Sequence, residues 1–323
     1  MTIFFKKTIL KNITAPLAIS AIILHTSLVW AGEKISQSLP SHEVTNVVIE
    51  NHSGLVNIVG WNKDKVSITG ELDDKAQALI FEQKGAKIHI KVKYENVNNW
   101  HSDGSQLTVF MPKDIRVNFS SVASDLSLKN LHGGIEAVTV SGNVLASEAS
   151  DNIELSSISG NIKTNDLSGK ISLSVVSGDI KDNNSAGRIK IRAVSGEVDV
   201  ESSASEVFFN NVSGNSKLKL TDVIELRMST VSGDINAEVQ LKEKGLLKAS
   251  SVSGDIELIF QKDINADFRL NTNVGGDLVN KLSSDKAVYS EYVRSAKLNF
   301  QLGDGNGSVS VSTVNGNVKV SSK

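Results

Sequence analysis

A short beat of the form Val-Ser-Gly-Asp-Ile recurs through this chain, and it constrains the fold more than any other feature. It reads VSGNV at Val140–Val144, ISGNI at Ile158–Ile162, VSGDI at Val176–Ile180 and VSGEV at Val194–Val198. It continues from Val212, Val231, Val252, Val274 and Val314. The glycines of the beat are spaced by 18, 18, 18, 18, 19, 21, 22 and 40 residues. Such self-similarity at a fixed period signals stacked repeats rather than a conventional globular core.

The apolar residues repeat in the same frame. Ile135, Ala137, Val140 and Val144 set the template, and Ile153, Leu155, Ile158 and Ile162 repeat it. Ile171, Leu173, Val176, Ile180 and Ile189, Ile191, Val194, Val198 follow. The frame extends back to Val117, Phe119, Val122 and Leu126, and forward to Val309, Val311, Val314 and Val318. Two apolar residues two apart lie on one face of a strand. The later change of phase implies a bend, and Ser-Gly supplies its backbone freedom. The pattern carries period two rather than 3.6, so helices are not expected. One coil cannot bury its apolar face alone, whereas stacked coils bury it as ladders. The predicted fold is all-β: a single-chain β-solenoid of about 18 residues per coil, with all four apolar positions facing the core. Ten such coils at roughly 4.8 Å each give a rod on the order of 50 Å long. The longer spacings predict insertions that bulge from turns, the largest near residues 281–306.

Aromatics make up 5% of the chain, with 3 prolines and 24 glycines, which suits a core of Val, Ile and Leu between small turns. There is no cysteine, so disulfides, thiolate metal sites and cysteine nucleophiles are excluded. The first residues carry Lys6, Lys7 and Lys11, followed by the apolar stretch 13–29 and Val29-Trp30-Ala31. That is the three-part layout of a secretory signal peptide over residues 1–31, cleaved after Ala31. No later stretch is long enough to span a bilayer as a helix, so no transmembrane segment is expected after cleavage. Without residues 1–31 the chain holds 31 basic and 36 acidic groups, a net charge of −5. That balance gives no reason to expect nucleic acid as a partner.

Solenoid ends need caps, because open edges pair with other chains. Residues 46–114, with alternating VVIE, VSITG, KIHIKVKY and LTVFMP and with Trp61 and Trp100, read as a β-rich N-terminal cap. Residues 32–45 read as a linker, and 115–323 as the solenoid. The opening VVIENHSGLVNIVGWNKDKVSITG, the tandem VSGDI beats and the closing LGDGNGSVSVSTVNGNVKV resemble the putative-adhesin family of bacterial envelope proteins of unassigned function. The resemblance covers about Val47 to Val320. It implies a single-chain β-solenoid in an envelope or extracellular setting, and it brings no catalytic residues with it.

No constellation of residues points to chemistry. The residues after the repeat glycines, among them Asn143, Asp179, Glu197 and Asp255, form a polar series that turn chemistry alone selects. The dense G-G-x-G-x-D pattern of calcium-binding solenoids is absent. The histidines His42, His52, His89, His101 and His132 make no HExxH or i, i+4 pair. The GDGNG stretch at 303–307 lacks the Lys-Ser or Lys-Thr of a phosphate loop. No G-x-S-x-G elbow occurs. No catalytic residue, metal ligand or cofactor is therefore expected. Candidate binding residues are Phe208, on the outer side of its strand, and Tyr289, Tyr292 and Arg294 in the 281–306 insertion. The expected function is that of an exported, non-enzymatic envelope protein, adhesin-like, in the periplasm, cell envelope or outside the cell. Its expected partner is an envelope protein or a polysaccharide. The alternatives are a carbohydrate-active β-helix enzyme, which needs paired carboxylates in a groove, and an accessory or sensor factor of an envelope-stress system.

Overall fold

Unbroken two-residue alternation along each strand sets the architecture. A computed structural model describes residues 34–94, 103–290 and 294–323. The expected signal peptide, Trp100, His101 and Tyr292 lie outside the described residues. In the regular region the strand Ile162–Ser177 stacks in parallel between Val144–Ser159 and Ile180–Ser195. Their register is fixed by the repeat: Ile171 lies opposite Ile153 and Ile189, and Leu173 opposite Leu155 and Ile191. All six are buried, so each ladder of like residues is a continuous apolar column. The β-solenoid is thus the fold, and the 18-residue period is one turn of it.

Each regular coil bends at three places. The first is the Ser-Gly-Asx beat. The second is a left-handed residue, with φ between 53° and 60° at Asn130, Glu148, Asp166, Asn184, Asp222 and Lys244. The third precedes the next coil, at Asp151, Gly169 and Gly187. Asn and Asp tolerate the left-handed conformation best, which explains most of the second series. At the first bend, stacking demands glycine on two counts. Gly178 has φ of 153°, and a Cβ there would lie 2.3 Å from the Gly160 carbonyl oxygen below it.

The structure corrects one part of the predicted core. The apolar residue that opens the beat does not face inward. Alternation continues one step past Ile135 and Ala137 to Thr139, which is fully buried, and so turns Val140 outward at 44% exposure. The bend comes after that valine, not before it. The inward slot beside the bend is narrow, and it takes Thr139, Ser157, Val175, Ala193, Asn211, Thr230 and Ser251. The residue after Asx, from Val144 to Val318, does face the core as expected.

Stacking order departs from chain order at both ends. Asn46–Trp61 is already a full coil strand, parallel to Arg116–Lys129, so coils begin well before residue 115. Lys87–Tyr94 and Ser105–Pro112 add a further parallel layer outside it. Antiparallel strands close this end: Ala76–Lys84 on one side, Lys65–Glu71 on the other. Lys34–Pro40, read as part of a linker, instead pairs antiparallel with Lys65–Glu71, because its Ile35 reaches the core. At the far end the chain's last strands, Gly307–Asn315 and Val318–Ser322, insert between earlier ones. Gly307–Asn315 lies between Ile235–Ser253 and Ala266–Thr272. The 40-residue spacing is therefore not only a bulge from a turn. Part of it, Ala296–Leu302, pairs antiparallel with Ala266–Thr272 and caps the rod. Phe268 packs on Phe300 at 4.6 Å and on Phe260 at 5.5 Å between ring centres, a plug of large rings for the open end of the core.

Candidate functional site

The outward turn of the beat's first residue builds one continuous surface feature. In stacking order Val122, Val140, Ile158, Val176, Val194, Val212, Val231, Val252 and Val314 stand one above another, with Val274 just off register in the last layer, each between 41% and 54% exposed. Asn273 takes the ladder position opposite Val314, and Val274 follows one residue further on, its backbone N–H donating to the Val314 carbonyl at 2.7 Å. Ten layers at about 4.8 Å make a stripe roughly 45 Å long. Single exposed apolar residues need no explanation, whereas a contiguous stripe of this length makes a candidate interaction surface.

The flanks of the stripe are small and uncharged. Two residues earlier in each coil stand Ser120, Val138, Ser156, Ser174, Arg192, Asn210, Ser229, Ser250 and Ser312, with Asn271 opposite Ser312 in the last layer; the residue after each stripe residue is Ser, Ala, Asn or Gly. Arg192 is the one charge in the field. Charges elsewhere follow the other outward positions, where ion pairs bridge adjacent coils: Lys219 with Glu201 at 2.6 Å and Lys319 with Glu257 at 2.5 Å. The stripe ends at the N-terminal cap, where its next rung is His52 and its flank is Glu50, paired with Lys91 at 2.6 Å.

Along one border runs the Asx series of the beat, and its oxygens are engaged. Each Oδ1 accepts the backbone N–H of the corresponding residue on the next coil. Asp125 takes that of Asn143 at 2.7 Å, Asn161 that of Asp179 at 2.8 Å, and Asp179 that of Glu197 at 2.8 Å. The series continues from Asp234 to Asp255, from Asp255 to Asn317 and from Asn317 to Asp277 at 2.8–2.9 Å. This is the turn chemistry expected of the series. Among the described residues no group of three or more His, Asp or Glu is placed to hold a metal ion.

The candidate residues read from the sequence do not form one site. Phe208 is half-buried on the outer side of Glu206–Ser213, between Lys190 and Arg227 in register. Tyr289 is 57% exposed in the short strand Val288–Tyr289, beyond the cap. Five strands separate the two, about 29 Å at the spacing of stacked strands. Arg294 is exposed, and its carbonyl accepts the Gly275 N–H at 2.7 Å. The sequence expectation places the stripe valines in the core, and the structure turns them outward. The signal that reveals this is the Thr, Ser, Ala or Asn immediately before most of them, the true inward residue of the alternation.

Two other places concentrate polar groups. A half-open cleft of about 630 Å³ at the N-terminal cap is lined by Glu71, Asp73, Asp74, Lys75, Asp103 and Gln106. Buried Asp73 anchors it by accepting the Lys75 backbone N–H at 2.9 Å. Inside the rod, Asp182 is fully buried and accepts hydrogen bonds from Thr164 and Ser185. Burial raises its pKa above the usual carboxylate value, against the pull of those two hydroxyls.

The chain is similar to several solved structures. A putative adhesin from Parabacteroides distasonis ATCC 8503 is 11% identical, with 90% of this chain and 98% of that chain covered, at a TM-score of 0.44. One from Parabacteroides merdae ATCC 43184 is 12% identical, with 91% and 98% covered, also at 0.44. One from Bacteroides fragilis NCTC 9343 is 13% identical, with 89% and 97% covered, at 0.41. No curated protein matches the chain significantly. The family described as Toastrack DUF4097 matches residues 44–321, nearly the whole solenoid with both its caps, and the chain belongs to that family.

Proposed function

We propose that this protein is an exported, non-enzymatic binding protein of the bacterial cell envelope, adhesin-like in the manner of its structural neighbours, and that it works through the valine stripe. The observation that carries the reading is the stripe itself. Nine large apolar side chains are held in water at a fixed spacing, with Val274 beyond them, on a face from which charge is almost excluded. A chain with no use for that face would be expected to carry Lys or Glu there, as its other outward positions do. The non-enzymatic part of the reading is supported by the corner carboxylates of Asp125, Asp179, Asp234 and Asp255, which are committed to backbone N–H groups. Export is supported by the basic-then-apolar N-terminus.

The test is retention on isolated cell envelopes. The purified chain is expected to sediment with envelopes, and Val194→Asp is expected to release it while its unfolding midpoint stays unchanged. Equal retention of both proteins would remove the stripe from the function. Fractionation of cells expressing the full chain tests export, and recovery in the cytoplasm with the N-terminus intact would refute it.

A further inference from the structure

We propose that the occupant of the stripe is a second copy of this chain, the two solenoids lying side by side about a two-fold axis parallel to their length. The inference rests on the stripe being the working surface and names its partner.

Period is the first argument. The stripe presents a side chain about every 4.8 Å, and another stack of β-coils is the partner that presents its own at the same interval over the full length. With the axis along the rod, each coil meets its own copy at the same level, so register is kept at every rung. The face is about 45 Å by about 20 Å, which reaches the ~800 Å² per partner of a standard interface. Neutrality matters too, since a surface that packs on itself sets like against like.

Charge at the borders is the second argument, and it selects the orientation. One border is the corner series. The other is the outward residue that opens each strand, seven positions earlier, or eight in the last layer, where the chain carries one extra residue between Thr272 and Gly276. Where the corner is acidic in the second half of the stack, the opening residue is basic: Glu197 with Lys190, Asp234 with Arg227, Asp255 with Lys248, Asp277 with Arg269. Where the opening residue is Glu136 or Glu154, the corner is neutral Asn143 or Asn161. Within one coil the two borders are roughly 20 Å apart along an extended strand, beyond useful screened attraction. Across the proposed axis, strand direction reverses and each corner faces the partner's opening residue. An antiparallel pairing would instead set corner against corner, Asp125 opposite Asp277 and Asp179 opposite Asp234, and would leave Lys190, Arg227 and Arg269 without acidic partners. Arg227 also pairs with Glu225 within its own chain at 2.5 Å, so Lys190, Lys248 and Arg269 are the basic residues free for this role.

Two exceptional residues meet at the middle of this arrangement. Arg192 is the only charge on the stripe's flank, and Glu197 is the only corner residue that is neither Asn nor Asp. The two-fold places Arg192 of each copy over Ser195–Glu197 of the other, giving two equivalent ion pairs.

Sedimentation equilibrium on the purified chain and a charge-swap series test this. The wild type is expected to be dimeric at about 100 µM, a concentration that detects even weak association. Arg192→Glu and Glu197→Arg, both at exposed positions, each place like charges at both symmetry-related contacts. Each alone is expected to lose at least about tenfold in association. Mixed one to one, the two variants are expected to recover wild-type association as a heterodimer, because both contacts are then opposite in sign. Failure of the mixture to associate, or a monomeric wild type, overturns the inference. A monomeric wild type whose Val194→Asp variant still loses envelope retention overturns the second copy as partner and leaves the proposed function standing. Unchanged retention removes that function as well.

Discussion

Asp179 Oδ1 accepts the backbone N–H of Glu197 at 2.8 Å, and Glu197 does not pass the same bond on to Asn215. The ladder of corner hydrogen bonds breaks at this rung and resumes from Asn215 to Asp234 at 3.2 Å. A glutamate has one methylene more than aspartate, so its carboxylate overshoots the N–H that Asn or Asp meets squarely. Glu197→Asn restores the acceptor. The variant is expected to gain about 0.5–1.5 kcal/mol, the net value of one hydrogen bond. Urea unfolding at a protein concentration low enough to keep the chain monomeric measures it, and an unchanged or lower midpoint would count against the ladder as a stabilising device.

Gly178→Ala should cost far more than an ordinary helix or loop substitution. Its φ is 153°, and the added Cβ would lie 2.3 Å from the Gly160 carbonyl oxygen, which is backbone and hemmed in by the coil beneath. Relief requires two coils to part. Gly275→Ala is the control, with φ of 77° but no atom within 4 Å of the new Cβ. The control is expected to lose roughly 1–2 kcal/mol from backbone strain, and Gly178→Ala clearly more. Equal losses in thermal unfolding would mean that stacking does not demand the glycine.

The glycines show how much was legible and where legibility stopped. The period, the strands and the first bend all follow from the beat, because Gly and Asx there answer to backbone geometry that recurs in every coil. The second bend was not legible. Its left-handed residues are Asn130, Glu148, Asp166, Asn184, Asp222 and Lys244, and a column mixing Glu and Lys with Asn carries no turn signature. The ends were legible only as needing caps. That Gly307–Asn315 slides between two earlier strands cannot be read from spacing, since each of the three carries the same apolar frame and any order of stacking satisfies it.

Asp182 makes stability depend on pH in an unusual direction for an acidic group. Its pKa is raised by desolvation, with hydrogen bonds from Ser185 and Thr164 opposing. The folded chain therefore binds this proton more tightly than the unfolded chain. The contribution is fully present below the unfolded value of 3.8 and is lost as pH rises through the folded value. Asp182→Asn removes the buried charge. The variant is expected to melt above the wild type at pH 7, with the gap closing as pH falls toward 4. A gap independent of pH would show that the carboxyl is not the cause.

Phe268 joins Phe300 and Phe260 at the capped end of the core and is 1% exposed. Phe268→Ala leaves a void that the antiparallel cap cannot collapse into without breaking its pairing. The expected loss is about 3–5 kcal/mol. Hydrogen exchange should show protection falling first in Ala266–Thr272 and Ala296–Leu302. Uniform loss along the rod would mean that the end is not a separate plug.

Val175 and Val176 are neighbours with opposite fates, 1% and 46% exposed. Val175 takes the narrow inward slot beside the bend, and Val176 is a rung of the stripe. Replacement by Thr keeps the shape and the β-branch while adding a hydroxyl. At 175 that hydroxyl enters the buried slot between Ser157 and Ala193, and a loss of about 1–3 kcal/mol is expected from an unpaired hydroxyl there. At 176 the hydroxyl stays in water, and stability should move by no more than about 0.5 kcal/mol, while association through the stripe weakens. The two effects should thus separate cleanly, unfolding midpoint for one residue and sedimentation for the other. A large loss of stability at Val176 would return the beat's first residue to the core, and with it would go the reason for treating the stripe as a surface with a partner.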